Sequence, residues 1–154
     1  ASSTHTHASH THTPHRTRPA PRAALPQDAG PHTPSVHLDN NSRLQLVFNY
    51  YCKFGRTGGK GGATSTMDNV NFAKFSRECP GLLDTHLNRT EVDLIFTRIR
   101  ERTQRRITYA QFLDGLSLMA ATKFPGEDPA VAFAVLLEHH VFQCPVSLSL
   151  RGGK

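Results

Sequence analysis

The sequence predicts an all-α domain that follows a long disordered tail, and three observations predict it. Apolar residues recur at helical spacing in five successive segments, each marking a helix with one buried stripe. No stretch alternates apolar and polar side chains over a useful length. The first forty residues are rich in Thr, Ser, His, Pro and Ala and poor in large apolar side chains, a composition that cannot build a core. A chain of 154 residues suffices for one domain with a real core, and its hydrophobic content of 37% is low for a chain folded throughout. The expected division is a His/Thr/Pro-rich tail at residues 1–42, a helical domain at 43–143 and a short C-terminal tail at 144–154.

Taken in order, "HTHASHTHTPH" is low-complexity, and the prolines from Pro14 to Pro34 prevent any long helix. The first helix carries Leu44, Val47, Phe48 and Tyr51 on one face, and "GRTGGKGGATST" ends it, since so many glycines do not stay helical. The second presents Phe72, Phe75, Ser76 and Cys79 and stops at Pro80-Gly81. Thr90 is the expected N-cap of the third, with Glu91 and Asp93 in the first turn, where the helix dipole favours acids. Its stripe is Val92, Ile95, Phe96 and Ile99. The fourth runs from Tyr109 to Lys123 with Phe112, Leu116, Met119 and Ala120 inward. Asp128-Pro129, an N-cap followed by an N1 proline, opens a fifth through Phe133, Leu136, Leu137 and His140.

Two half-copies of one motif lie inside this pattern. Met67, Asn71 and Phe72 match Ile107, Gln111 and Phe112 in spacing, and each trio follows a loop and opens a helix. This is the layout of an EF-hand pair: an apolar residue at each loop centre meets its twin, and an aromatic anchors each exiting helix. The alternative is a generic helical bundle that reaches the same spacing by accident.

The pattern is degenerate for calcium. The ion needs six to eight oxygen ligands, mostly carboxylates, at loop positions one, three, five, nine and twelve. With Ile107 at position eight, those places hold Arg100, Arg102, Gln104, Thr108 and Gln111; with Met67 at position eight, they hold Lys60, Gly62, Thr64, Asp68 and Asn71. One carboxylate among ten positions cannot neutralise a divalent cation, so both loops are expected to be silent to calcium. Arg98, Arg100, Arg102, Arg105 and Arg106 stand against the single Glu101, which concentrates most of the chain's net +6 in one segment. A charge run is often only a solvated face, but one this dense on a loop held by two helices favours an acidic partner, with an attraction that salt screens over about 8 Å.

Other classes find less support. Cys52, Cys79 and Cys144 are an odd, widely spaced set without a CxxC pattern, which argues against a disulfide framework and for a reducing compartment. No apolar run reaches membrane-spanning length and the N-terminal segment has no signal-like apolar core, so a soluble intracellular protein is expected; the chain opens on Ala1, so an initiator or leader is expected before it. "GRTGGKGG" lacks the spacing of a phosphate-binding loop, because Lys60 is followed by Gly61 and no strand precedes it. No paired-carboxylate or Ser/His/Asp arrangement stands out, and no enzyme is expected. The arginines lack interleaved aromatics for stacking on nucleic acid. His5, His7, His10, His12 and His15 form a candidate zinc or copper site, against the plainer reading of a polar tail. His139, His140 and Cys144 are expected to be structural.

The segments "MDNVNFAKFSREC", "TEVDLIFTRIR" and "RRITYAQFLDGLSLMAATKF", in this order and spacing, resemble the tubulin polymerization-promoting protein family over roughly residues 44–142. Thr90, Val92, Asp93 and Phe96, then Ile107, Thr108, Gln111 and Phe112, carry most of the likeness. The resemblance implies a degenerate EF-hand-like domain in non-enzymatic proteins that bind tubulin and promote polymerisation or bundling of microtubules. Protist and ciliated-cell members are associated with flagella, which extends the implied setting from the cytoplasmic cytoskeleton to the axoneme. Since tubulin's exposed tails are strongly acidic, the expected electrostatic contacts are Arg98, Arg100, Arg102, Arg105 and Arg106, helped by Arg56 and Lys60. Self-association stays open. Zinc binding reported in the family makes Cys79 a candidate ligand, but the family often has a second cysteine three residues earlier, where this chain has Ser76. The Gly-rich basic segment that commonly follows the domain is reduced here to "RGGK".

Overall fold

A computed structural model describes residues 38–54 and 65–151. Residues 1–37 of the expected tail, its histidines, Arg56 and Lys60 lie outside the described residues, while residues 40–42, also read as tail, open the first helix. Those described belong to one unit, Val36–Lys154. The element order is α1 (Asn40–Cys52), β1 (Met67–Asp68), α2 (Asn69–Glu78), α3 (Arg89–Ile99), β2 (Arg106–Ile107), α4 (Tyr109–Lys123), α5 (Pro129–His139), a 3-10 turn (Val141–Gln143) and α6 (Pro145–Arg151). The five expected helices all form. The sixth, α6, occupies part of the stretch read as a C-terminal tail: Pro145 can open a helix because its missing N–H would be unpaired there anyway, and Ser147 is buried on the inner face.

Local sequence accounts for most boundaries. Thr108 and Gln111 form a reciprocal capping box at the head of α4, and the Asp128 carboxylate accepts from the amides of Ala130 and Val131 at the head of α5. α2 is capped by Asp68, whose Oδ1 accepts from Asn71 N at 2.9 Å. The expected cap of α3 is corrected: Asn88, not Thr90, holds that position, its Oδ1 accepting from Glu91 N at 3.1 Å. Both residue types can cap, and Asn88 wins because Leu87, buried beside it, anchors the entering chain two residues earlier.

The stripes meet in one aromatic core. Phe48 lies 5.2 Å from Phe112, Phe112 lies 5.2 Å from Phe75, and Phe72 lies 5.5 Å from Phe96, mostly in tilted or edge-on geometry, the arrangement ring quadrupoles prefer. Four helices and both loops thus contribute to a shared interior. Met67 pairs antiparallel with Ile107, and both are fully buried. Two-residue strands are too short to leave a period-two pattern in sequence. α5 packs on α4, and α6 closes against α1.

Two polar links run through the packing. Tyr51 Oη donates to Glu78 Oε2 at 2.7 Å, and burial, then this bond, push the phenol well above its usual range. Lys123, with a side chain only 6% exposed, pairs with Asp84 in the connection between α2 and α3.

A cationic loop as the candidate interface

The second loop leaves α3 at Arg100, whose extended backbone ends the helix, and turns through a hydrogen bond from Gln104 N to Glu101 O at 3.0 Å. It enters β2 at Arg106 and reaches α4 through the Thr108 cap. The positions that would hold calcium are occupied by groups serving the protein. Gln111 Oε1 accepts from Thr108 N at 2.9 Å. In the first loop, Asn71 is buried and its Nδ2 donates to Phe54 O at 3.0 Å, tying the loop's exit to the end of α1. Asp68 spends one oxygen on its helix cap and offers the other to Arg106 Nη2 at 3.3 Å.

The arginines do not form a single uniform crown. Arg106 is turned inward: it pairs with Asp68, and its Nη1 is buried without a hydrogen-bond partner. Arg100 is half-buried and donates to Gln104 O, so it braces its own loop. Arg105 is exposed and joins two neighbouring hollows, one shared with Arg100 and Asn69, the other with Arg106, Thr66 and Gln111. Glu101 lines the second hollow and partly offsets its charge. Arg102 is exposed at the loop's turn. Arg98 sits apart, on the groove between α3 and α4 with Leu94, Leu118 and Thr122. The structure therefore keeps Arg100, Arg105 and Arg106 together, leaves Arg98, Arg102 and Arg105 exposed, and spends Arg106 on an internal pair.

The remaining candidates divide similarly. Cys79 is buried at 2% exposure, and no group of three metal-ligating side chains occurs among the described residues. Ser76, the residue at the family's second cysteine position, is buried and donates to Phe72 O at 2.9 Å. Burial pushes the Cys79 thiol well above its usual range, and Cys144, also fully buried, lies near enough to add to that effect, a proximity that linear spacing did not reveal. His140 Nδ1 lies 2.9 Å from Pro80 O and holds the same corner together. No helix among the described residues is long and apolar enough to cross a membrane.

Fold and site define a small all-α domain in which two helix–loop–helix halves are joined centre to centre and the second loop is cationic. The p25-alpha family model matches residues 45–145, and the chain belongs to that family. Among relatives, it is 29% identical over 89 residues to tubulin polymerization-promoting protein family member 2 of Macaca fascicularis and 28% identical to that of Homo sapiens, each match covering 57% of this chain and 50% of the relative. It is 24% identical over 110 residues to family member 3 of Xenopus laevis, covering 71% of this chain and 62% of that one. The chain thus spans about half the length of the first two relatives it matches.

Proposed function

We propose that this chain is a non-enzymatic tubulin-binding protein that promotes the polymerisation, bundling or stabilisation of microtubules, and that its scaffold is a degenerate EF-hand pair. The observation that carries the reading is the set of guanidinium groups on the second loop of a p25-alpha member, where Asp68 takes up Arg106 while Arg102 and Arg105 stay exposed, with Arg98 exposed nearby in sequence on α3. The names of the relatives supply the partner; the loop supplies a contact chemistry that suits it. Exposed arginines steer an acidic surface into place and lose their hold as ionic strength rises. The setting proposed is the cytoplasmic cytoskeleton, extending to the flagellar axoneme. Arg56 and Lys60 are proposed as auxiliary contacts. For a zinc-responsive role of the His-rich segment, no observation on the described residues adds support.

Co-sedimentation with stabilised microtubules tests this directly. The expected result is binding that falls steeply with salt, weakens when the acidic tubulin tails are removed by proteolysis, and weakens again when Arg98, Arg102 and Arg105 are replaced together by Glu. Absence of pelleting with intact microtubules at low salt would remove the tubulin reading. Pelleting indifferent to salt, tails and all three substitutions would leave the partner and overturn the contact.

A further inference from the structure

Between α2 and α3 lies a small apolar hollow that the contacts proposed above leave unused. Its volume is about 190 Å³, and Ala73 of α2, Leu83 of the connection and Val92 of α3 line it. Ser76 borders it too, but its hydroxyl donates to Phe72 O at 2.9 Å and offers the hollow no free donor. Arg77 stands on the α2 wall and Arg89 on the α3 wall, with Asp93 one turn further along α3. We propose that this hollow is a docking site for an acidic peptide. One aliphatic side chain of the peptide sits in the hollow, and the Arg77 and Arg89 guanidinium groups take the carboxylates on either side of it.

The two arginines are free to serve an outside ligand. Both are exposed, and neither side chain makes an ion pair or a hydrogen bond among the described residues. Arg77 lies in the last turn of α2, where the helix dipole favours a cation. Arg89 is the first residue of α3, where the dipole opposes one, so the helix itself gives no reason for it. Asp93 leaves the rim at a net charge of one positive unit, and its carboxylate can accept an N–H from a peptide backbone. A bare polyanion therefore fits less well than a segment that also brings an apolar side chain.

Size and charge select the occupant. Pockets for whole small molecules hold roughly 300–1,000 Å³; this one is smaller and suits a single anchoring side chain. Residues 1–37 of the chain itself carry Arg16, Arg18 and Arg22 against the single Asp28, so like charge disfavours them as the occupant. A second copy brings a net charge of +6 and meets the same opposition. An acidic partner meets none, and each guanidinium can hold a carboxylate through two parallel hydrogen bonds. The site is separate from the cationic loop: Arg89 opens α3 and Arg100 follows its end, about 16 Å away along the axis. The inference therefore does not depend on the tubulin reading.

The test is fluorescence anisotropy of a labelled peptide, one leucine between two pairs of glutamates, titrated with the purified chain. Two companion peptides carry alanine for the leucine, or glutamines for the glutamates. The first should bind, and both companions should bind at least about tenfold more weakly. Arg77→Gln and Arg89→Gln should each weaken the first peptide about fivefold, and the two together more. Ala73→Leu, which fills the hollow, should abolish the preference for leucine over alanine and keep the preference for glutamate. Both arginines are exposed, so the glutamine variants should keep the denaturant midpoint, which separates lost binding from lost folding. Equal binding of the leucine and alanine peptides would overturn the proposal. So would binding lost in the Arg102→Gln, Arg105→Gln double variant but kept in the Arg77→Gln, Arg89→Gln one, which would move the peptide to the loop. Binding of phosphatidylserine vesicles with no binding of any peptide would overturn it as well, in favour of a membrane surface.

Discussion

Met67 lies directly across from Ile107 in an antiparallel pair, and neither side chain touches solvent. This pair is the seam between two helix–loop–helix halves, and among the described residues no group of three metal-ligating side chains occurs. The halves are held together by apolar contact, by the Asp68–Arg106 link on the adjacent rung, and by the phenylalanines beneath.

Truncating either residue of the seam opens a cavity in a site with no slack. Met67→Ala and Ile107→Ala should each lower unfolding stability by about 3 kcal/mol in denaturant titration. Because the side chains touch, the double variant should fall short of the sum by at least about 0.5 kcal/mol. Strict additivity would mean that the two halves are not joined there.

Gly115, in the middle of α4, faces a close approach by Ile99 of α3 and Phe72 of α2. A Cβ at that position would stand 2.8 Å from Ile99 Cδ1 and 3.3 Å from Phe72 Cζ. Gly115→Ala gains about 1 kcal/mol of helix propensity, against overpacking of about 1–3 kcal/mol. The expected net loss is about 1 kcal/mol in thermal or denaturant unfolding, rising for Gly115→Val. A gain in stability with Ala would show that Ile99 moves aside freely.

Asp84 governs part of the acid response. Its carboxyl is held down to about 2 by the amide of Leu87 first and the Lys123 ammonium next. A folded pKa depressed below the unfolded value of 3.8 contributes stability that is fully present above pH 4 and is lost as pH falls toward 2. Asp84→Asn should therefore flatten that part of the stability–pH curve, measured by denaturant midpoints. Glu78, held down by Lys74 and Tyr51 despite burial, keeps its own separate contribution. An unchanged acid slope would remove Asp84 from the account.

Asp68 separates a structural arginine from the proposed contacts. Asp68→Ala removes a helix cap and should cost about 1 kcal/mol. Asp68→Asn keeps a capping oxygen but frees Arg106, and should cost less while strengthening microtubule co-sedimentation at low salt. Arg102→Ala, at an exposed turn, should change stability by less than about 0.5 kcal/mol. If Asp68→Asn weakens microtubule binding instead, Arg106 does not act as a cation toward the partner.

The helices were legible because their causes are local. Leu44, Val47, Phe48 and Tyr51 repeat at the helical period, and Asp128-Pro129 carries its own start signal, so neighbouring residues sufficed. The pairing of Met67 with Ile107 was also legible, since equal spacing in two half-copies implies a twofold arrangement of their loops. Thr90 was misjudged as a cap because Asn88 can serve equally well and only the entry path through buried Leu87 chooses between them. The α6 helix was missed because seven residues are too few for a periodic stripe.

What the sequence determined by itself is therefore the all-α class, the duplicated loop centres and the cationic character of the second loop. Tertiary structure decided which arginine that loop gives up to Asp68, which cysteine lies near Cys79, and why Gly115 has no room for a side chain. Periodicity and capping act within a few residues along the chain, whereas ion pairs, neighbouring thiols and close helix crossings join residues that only folding brings within reach.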